Sequence, residues 1–356
     1  MSAVTSSPSP LVSVLMPVYN AARFVADAIE SILAQTFRDF EFIIIDDGST
    51  DGSLSVLKRY AANDPRIRLI SRENRGLVAT LNEGIEKARG EWIARMDGDD
   101  VALPNRLSLQ LKHLAETGAD FCGGAVQCFG GWRALWRYPV SHEACAVRLL
   151  FDVPFAHPAV MGRRSALSSL RYRQDFNRAQ DYDLWQRAWA QGYRLTNVEE
   201  IVLRYRVHEN QVSARHTGDQ RDRADLVRQR HWKALLPEYT DEHVNVLLTA
   251  IREGSGATSL LVPAFERLLR QYEGEAREVL LFDAYRMFCR MAGNDKAAVR
   301  NWLHLASAAR EGIGRVEVYR RATVLLLISM FQIRSTASGY QTLRSLRHRL
   351  ASLLER

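Results

Sequence analysis

The stretch Glu91–Arg106, EWIARMDGDDVALPNR, decides how this chain folds. Three apolar residues, Trp92-Ile93-Ala94, run into Asp97-Gly98-Asp99-Asp100, and a helical pattern opens after Pro104. An apolar strand, an acidic turn and a helix in that order are how an α/β sheet presents oxygen ligands at its carboxyl edge. Hard divalent cations take oxygen ligands, and Mg2+ commonly sits between one or two carboxylates and a phosphate. Gly98 has no Cβ, so a ligand can come close to the backbone there. A D-x-D turn by itself is equally a solvated acidic loop, and the flanking sequence has to separate the two.

Working backwards from the turn, Leu77–Arg89 is an amphipathic helix pattern and Ile67–Ser71 a strand. Phe40–Ile45 (FEFIII) and Leu11–Met16 (LVSVLM) are continuous apolar runs, the mark of strands buried on both faces. The first run ends at Pro17-Val18-Tyr19-Asn20, with Asn20 read as the N-cap of a helix carrying Phe24, Ala28, Ile29, Ile32 and Leu33 on one face. The second ends in Asp46-Asp47-Gly48-Ser49-Thr50-Asp51. The order β-α-β-α-β-α-β predicts a parallel sheet with a nucleotide-sized crevice at its carboxyl edge. The first turn, PVYNAAR, lacks the Gly-rich dinucleotide fingerprint, which argues against a nicotinamide dehydrogenase.

The 356 residues suffice for a large core or two domains. Hydrophobic content of 47% and charged content of 25% are ordinary for a globular protein. The net charge of +7 suits an anionic substrate, a lipid surface or nucleic acid, but no nucleic-acid module is recognisable. Four cysteines without C-x-x-C spacing read as reduced thiols of a cytoplasmic protein. Residues 1–10 carry neither a basic nor an apolar signal segment and read as a disordered leader.

The succession VSVLMPVYN (residues 12–20), IIIDDGSTDGS (43–53) and ENRGLVATLNEGIEKARGEWIARMDGDD (73–100) resembles the family-2 glycosyltransferases of the GT-A fold. The resemblance runs from about Val12 to Ser213 and implies a mostly parallel central sheet flanked by helices. It implies that Pro17, Val18 and Tyr19 frame a nucleoside and that Asp47 accepts the imide N–H of uracil, with Asp46 its less direct neighbour. A charged acceptor suits that hydrogen bond. Arg75 lies in a loop that approaches the nucleotide in relatives, and is also read as surface charge.

In the same family Asp97 and Gly98 border the nucleotide sugar while Asp99 holds Mg2+ or Mn2+. The segment FAHPAVM (Phe155–Met161) enters the acceptor side, where His157 touches acceptor or diphosphate, or makes a structural hydrogen bond. In AQDYDLWQRAWAQGY (Ala179–Tyr193) the resemblance makes Asp181 the general base and leaves Asp183 to orient the site or cap the helix. His208, after the strand Val202–Val207, is either a metal ligand or a diphosphate donor.

The intervening FCGGAVQCFGGWRALWRY (Phe121–Tyr138) reads as a hairpin turning at Gly130-Gly131. Trp132 and Trp136 are read as core packing ahead of sugar stacking, because most tryptophans are largely buried.

These observations predict a catalytic domain over residues 11–214 and a helical region over 215–356. The activity expected is an inverting, metal-dependent transfer from a nucleotide sugar, UDP-linked by preference, to a hydroxyl of a glycan or lipid-linked acceptor in cell-surface polysaccharide synthesis. The C-terminal run Ala322–Phe331, flanked by Arg320-Arg321 and by Arg334, Arg344, Arg347 and Arg349, is too short to span a bilayer, which needs about 20 residues. It is read as a buried helix first, and otherwise as a peripheral contact at the inner membrane face or between copies of the chain. Two rival functions are a non-catalytic sugar-nucleotide-binding protein and a haloacid-dehalogenase-type phosphatase using Asp97. The second needs its D-x-D-x-[TV] on the first strand and a downstream lysine, and the next lysine after Lys112 is Lys233.

Overall fold

The computed structural model describes residues 9–208, 217–254, 256–309 and 314–330. The expected leader falls mostly outside these residues, as do Phe331, Arg334, Arg344, Arg347 and Arg349. The described chain divides into two compact units, residues 1–227 and 228–356.

The first unit opens with β1 (Val12–Val18), α1 (Val25–Leu33), β2 (Phe40–Asp47), α2 (Ser53–Asn63), β3 (Ile67–Arg72), α3 (Leu77–Lys87) and β4 (Trp92–Arg95). The acidic turn follows, then β5 (Val101–Ala102), α4 (Arg106–Thr117), β6 (Phe121–Gly130) and β7 (Ala134–Trp136). The unit continues through α5 (His142–Arg148), β8 (Met161–Arg163), α6 (Arg164–Leu170), α7 (Gln180–Ala190) and β9 (Leu195–Val207). One nine-stranded sheet runs β3-β2-β1-β4-β8-β6-β9-β5, with β7 paired to β6. The β3-β2-β1-β4 half is parallel, as is β6 with β9. The pairs β4–β8, β6–β8, β5–β9 and β6–β7 are antiparallel, which makes the sheet mixed.

Two-residue periodicity explains the burial of both sheet faces. Val12, Val14, Met16 and Val18 pack with Ile29 and Ile32 of α1, Leu57 of α2 and Leu107 and Leu114 of α4. Leu15, Ile43 and Ile45 face the other way, against Val78, Leu81 and Ile85 of α3, Leu167 of α6 and Trp185 of α7. Strands β1, β2 and β4, which lead to the carboxyl edge, are therefore buried between helices.

Asn20 does not cap α1. It takes up the left-handed conformation, φ 51°, and its Oδ1 accepts from the Thr50 N–H at 2.8 Å, while the cap position falls at Phe24. Its neighbours do the same: the Asn20 N–H donates to Ser49 Oγ, Ala21 to Ser53 Oγ, and Ala22 to Asp51 Oδ2. The loops after β1 and β2 are thereby laced into one rim.

The remaining helices are α8 (Thr217–Leu235), α9 (Asp241–Glu253), α10 (Val262–Gln271), α11 (Gly274–Met291), α12 (Ala298–Ala308) and α13 (Arg315–Met330). Leu247, Phe265, Leu268, Leu280, Phe288, Trp302 and Leu305 form the buried interior of the second unit. On α13, Ala322, Leu325 and Ile328 are buried, so the preferred reading of that run as a packed helix holds for this face. Arg320 and Arg321 both pair with Glu317. Among the described residues no helix is long and apolar enough to cross a membrane.

Candidate active site

One half of the candidate site is built at the ends of β1, β2 and β3, where Val18 is in register with Asp46 and Asp47 with Arg72. Asp46 is buried, accepting from the Ser49 N–H at 3.2 Å and the Ser71 hydroxyl at 2.9 Å. Asp47 is buried as well. It accepts from the Arg72 guanidinium and, at 2.8 and 2.9 Å, from the backbone N–H groups of Arg75 and Gly76. The arginine side chain on Asp47 is therefore Arg72, while Arg75 contributes its backbone and leaves its side chain exposed. Arg72 escaped the sequence reading, although a basic residue ending the strand beside an acidic strand end was the available sign. Gly48 has φ +75°, and a Cβ there would lie 2.7 Å from the Asn74 backbone nitrogen, so this turn requires glycine. Tyr19 is exposed at the rim and Pro17 is half-buried.

The acidic turn packs against the end of β1, with the Gly98 Cα side facing Val18 and Ala21. A Cβ on Gly98 would make ordinary contacts of 3.5 Å and longer, so no close approach of protein atoms demands glycine here. One carboxylate oxygen each from Asp97, Asp99 and Asp100 lie within 4.8 Å of one another. Asp97 is gripped by both terminal nitrogens of Arg95, at 2.5 and 2.6 Å. Burial is the main force raising the Asp97 carboxyl above its ordinary pKa; Arg95 opposes it and Asp99 adds to it. Asp100 is fully buried, and burial with the charges of Asp97 and Asp99 raises it well above the ordinary value. Its Oδ1 accepts the Arg206 N–H at 2.8 Å, but its Oδ2 has no hydrogen-bond partner.

The end of β9 closes over this turn. Arg206 donates from Nε to the Asp99 carbonyl at 2.8 Å and from Nη2 to Asp27 at 2.7 Å. Its guanidinium lies 4.6 Å from the ring centroids of both Phe24 and Phe129. His208 Nε2 stands 3.0 Å from Asp99 Oδ2, with the imidazole packed on Phe24 at 4.9 Å. Arg95 was missed, since a lone arginine in a strand carries no motif, and Arg206, which lies in the Tyr205-Arg206-Val207-His208 stretch, was given no role there.

Asp181 lies in the first turn of α7, half-buried, its Oδ1 receiving the Tyr182 N–H at 2.9 Å. Burial raises its carboxyl above the ordinary pKa, with the Tyr182 N–H and Arg95 pulling the other way. Asp97 in turn feels the Asp181 charge, a smaller influence than burial, Arg95 or Asp99. His157 is buried, hydrogen-bonded through Nε2 to the Tyr172 hydroxyl at 2.8 Å, and burial holds its pKa well below the ordinary value. Of its two readings, the structural hydrogen bond is present in the structure. Asp183 is fully buried and engages Arg187 at 2.7 Å, which in turn reaches the carbonyls of Leu170 and Arg171. Its carboxylate thereby ties α7 to the end of α6.

The Glycosyl transferase family 2 model matches residues 13–171. EpsE of Bacillus subtilis (strain 168), a glycosyltransferase by name, is 34% identical over 273 residues, which cover 74% of this chain and 97% of EpsE. This chain belongs to glycosyltransferase family 2. The O-antigen biosynthesis glycosyltransferase WbnJ of Escherichia coli is 34% identical over 205 residues, covering 56% of this chain and 80% of WbnJ. Among solved structures, S. aureus TarS 1-349 in complex with UDP-GlcNAc superposes with a TM-score of 0.53 at 16% identity, over 88% of this chain and 90% of that one. The mannosyltransferase PcManGT of Pyrobaculum calidifontis, in complex with GDP-Man and Mn2+, gives 0.51 at 17% identity, over 91% and 88%. These establish the GT-A fold for this glycosyltransferase.

The acidic turn fits a divalent cation by its own geometry. A fully buried carboxylate oxygen without a donor, in a cluster where burial makes Asp97 and Asp100 resist ionisation, is the arrangement that a cation relieves. The 3.0 Å between His208 Nε2 and Asp99 Oδ2 also matches the roughly 3.0 Å between adjacent octahedral ligands placed about 2.1 Å from one ion.

Proposed function

We propose that this glycosyltransferase is an inverting, divalent-metal-dependent enzyme that moves a sugar from a nucleotide sugar, by preference a UDP-sugar, to a hydroxyl of a glycan or lipid-linked acceptor. The observation that carries the reading is the cluster of Asp97, Asp99 and Asp100 at the carboxyl end of β4, with one oxygen from each within 4.8 Å of the others and the buried Asp100 Oδ2 without a donor. The turn supplies a place for the departing diphosphate and α7 supplies a base.

The roles follow from the surroundings of each residue. Pro17, Val18 and Tyr19 frame the nucleoside, and Asp47, held rigid by Arg72, presents its carboxylate edge to the base, with Asp46 bracing the loop. Asp99, with Asp100 and His208 beside it, would hold Mn2+ or Mg2+, which supplies positive charge to the departing diphosphate. Asp97, fixed by Arg95, borders the transferred sugar together with Gly98. Asp181 accepts the acceptor's hydroxyl proton while that oxygen attacks the anomeric carbon and the bond to phosphate breaks on the opposite face. The phosphatase reading requires Asp97 to attack phosphorus, and its two-point grip by Arg95 opposes that role.

Solved relatives of the fold carry UDP-GlcNAc in one case and GDP-Man in another, so the donor test must span both bases. WbnJ, by its name an O-antigen enzyme, supports a setting in surface polysaccharide synthesis at the cytoplasmic membrane face. Contact with that membrane or with a second copy is assigned to the exposed face of α13, which carries Val316, Tyr319, Leu326 and Met330. Incubation with UDP-Glc, UDP-GlcNAc, UDP-Gal and GDP-Man in Mn2+ should release nucleoside diphosphate from at least one donor. Release from none, or undiminished release in EDTA, would overturn the reading.

A further inference from the structure

The hairpin of β6 and β7 departs from the expectation that its tryptophans lie in the core. Trp132 is 48% exposed, although its ring lies only 5.9 Å from that of Trp136. Trp136 is half-buried and packs 5.2 Å from Tyr205, which joins the core below. Three aromatic rings thus form a stack that begins in the sheet and ends in solvent. An exposed tryptophan costs favourable burial, on the order of 2–3 kcal/mol for a large apolar side chain. Here two further rings fix its orientation.

The place of the stack matters as much as its chemistry. The Gly131 N–H donates to the Val207 carbonyl at 2.9 Å, and the next residue along β9, His208, reaches Asp99. Phe129, in register with Arg206, stacks on the guanidinium that holds the acidic turn. The hairpin tip therefore continues the sheet edge on which the acidic turn sits, joined to the end of β9 by the Gly131–Val207 hydrogen bond.

We propose that Trp132, backed by Trp136 and Tyr205, is a saccharide-binding platform that receives the acceptor glycan at a sugar ring remote from the reacting hydroxyl. One face of a pyranose is lined by C–H bonds and lies flat on an aromatic ring, while its hydroxyls stay in water and meet polar edges. Arg133, exposed next to Trp132, supplies such a donor. The apolar residues of the hairpin do not share one face, because neighbours on a strand point to opposite sides. Leu135 is exposed on the side away from Trp136, in register with Gln127. A bilayer-inserting tip needs its apolar groups on one side, so a saccharide suits this hairpin better than a membrane. The proposal rests on the reading of the chain as a transferase with a glycan acceptor.

The test compares wild type, Trp132→Ala and Trp132→Phe, an exposed position whose change leaves the core intact. Chitohexaose, maltohexaose and cellohexaose, at millimolar concentration, are followed by saturation-transfer NMR. Donor hydrolysis without acceptor is measured in parallel, and flotation with phosphatidylglycerol vesicles serves as the third arm. The expected result is transfer to the ring C–H protons of at least one oligosaccharide, lost in Trp132→Ala and restored in Trp132→Phe, with donor hydrolysis unchanged in all three. If no oligosaccharide binds while hydrolysis proceeds, if binding survives Trp132→Ala, or if only the vesicles depend on Trp132, the platform is overturned. Absence of donor hydrolysis in the wild-type protein would overturn the transferase reading itself, and the platform with it.

Discussion

At the scale of single residues, Asp181 and Asp183 stand two positions apart on α7 and do opposite work. Asp181 is half-buried, and its carboxyl is raised by burial. Asp181→Asn keeps the shape and removes the base, so turnover should fall by on the order of 10²–10⁴. Donor affinity should change by less than about threefold, well under 1.4 kcal/mol. Because the base must be ionised, the acid limb of wild-type turnover should lie above the ordinary carboxylate range, which a pH–rate profile will show. Asp183→Ala should act on stability: it takes the carboxylate from the half-buried Arg187, which keeps only its two carbonyl partners, costing on the order of 1–3 kcal/mol. Thermal melts of the two variants should therefore separate them. A destabilised Asp181→Asn beside a normally stable Asp183→Ala would reverse the assignment.

At the scale of elements, the latch between β9 and the acidic turn is the feature most exposed to mutation. Arg206 joins Asp99, Asp100 and Asp27 while its guanidinium lies between Phe24 and Phe129. Lysine keeps the charge but loses the planar fork that satisfies two directions at once. Arg206→Lys should weaken Mn2+ binding about tenfold by calorimetry, about 1.4 kcal/mol, with the fold retained. Unchanged Mn2+ affinity would mean that the latch does not position the turn. The strands of the parallel half were legible because β1, β2 and β4 are apolar runs that end in turns with recognisable chemistry. The first half of β9 was not: Glu199 and Glu200 are exposed where the register against β6 shifts, and they break the apolar pattern. Likewise Asp99 and Asp181 were legible from their motifs. Arg72, Arg95 and Arg206 were not, since their partners are set by strand register and by loop packing far along the chain. Trp132 was misread because burial statistics for tryptophan say nothing about a hairpin tip.

At the scale of the whole molecule, its acids and histidines divide by the sign of their linkage. Glu41, Asp51, Asp64, Asp295 and Glu317 are lowered by their hydrogen-bond partners, against burial, and contribute stability that is lost as pH falls through their folded values. The neutral, buried His157 likewise contributes stability present above its ordinary pKa of 6.5 and lost below it. Asp97, Asp100 and Asp181 have the opposite sign. Their folded pKa values are raised, so the folded state binds protons more tightly than the unfolded chain, and stability declines as pH rises from 3.8 through the folded values. A cation that binds the ionised carboxylates reverses that decline, because metal ligands must be deprotonated. The gain in melting temperature on replacing EDTA by Mn2+ should therefore grow with pH, since the other acids and His157 contribute equally to both conditions and cancel. At a hundredfold excess over Kd the gain corresponds to about 2.7 kcal/mol, or several degrees. Asp100→Asn keeps an acceptor for the Arg206 N–H and removes the unpartnered charge, worth on the order of 1–3 kcal/mol. It should melt higher than wild type in EDTA at neutral pH and gain less from Mn2+. Should the EDTA and Mn2+ profiles run parallel across pH, or Asp100→Asn melt lower in EDTA, the acidic turn would not be a cation site held at a cost to the empty protein.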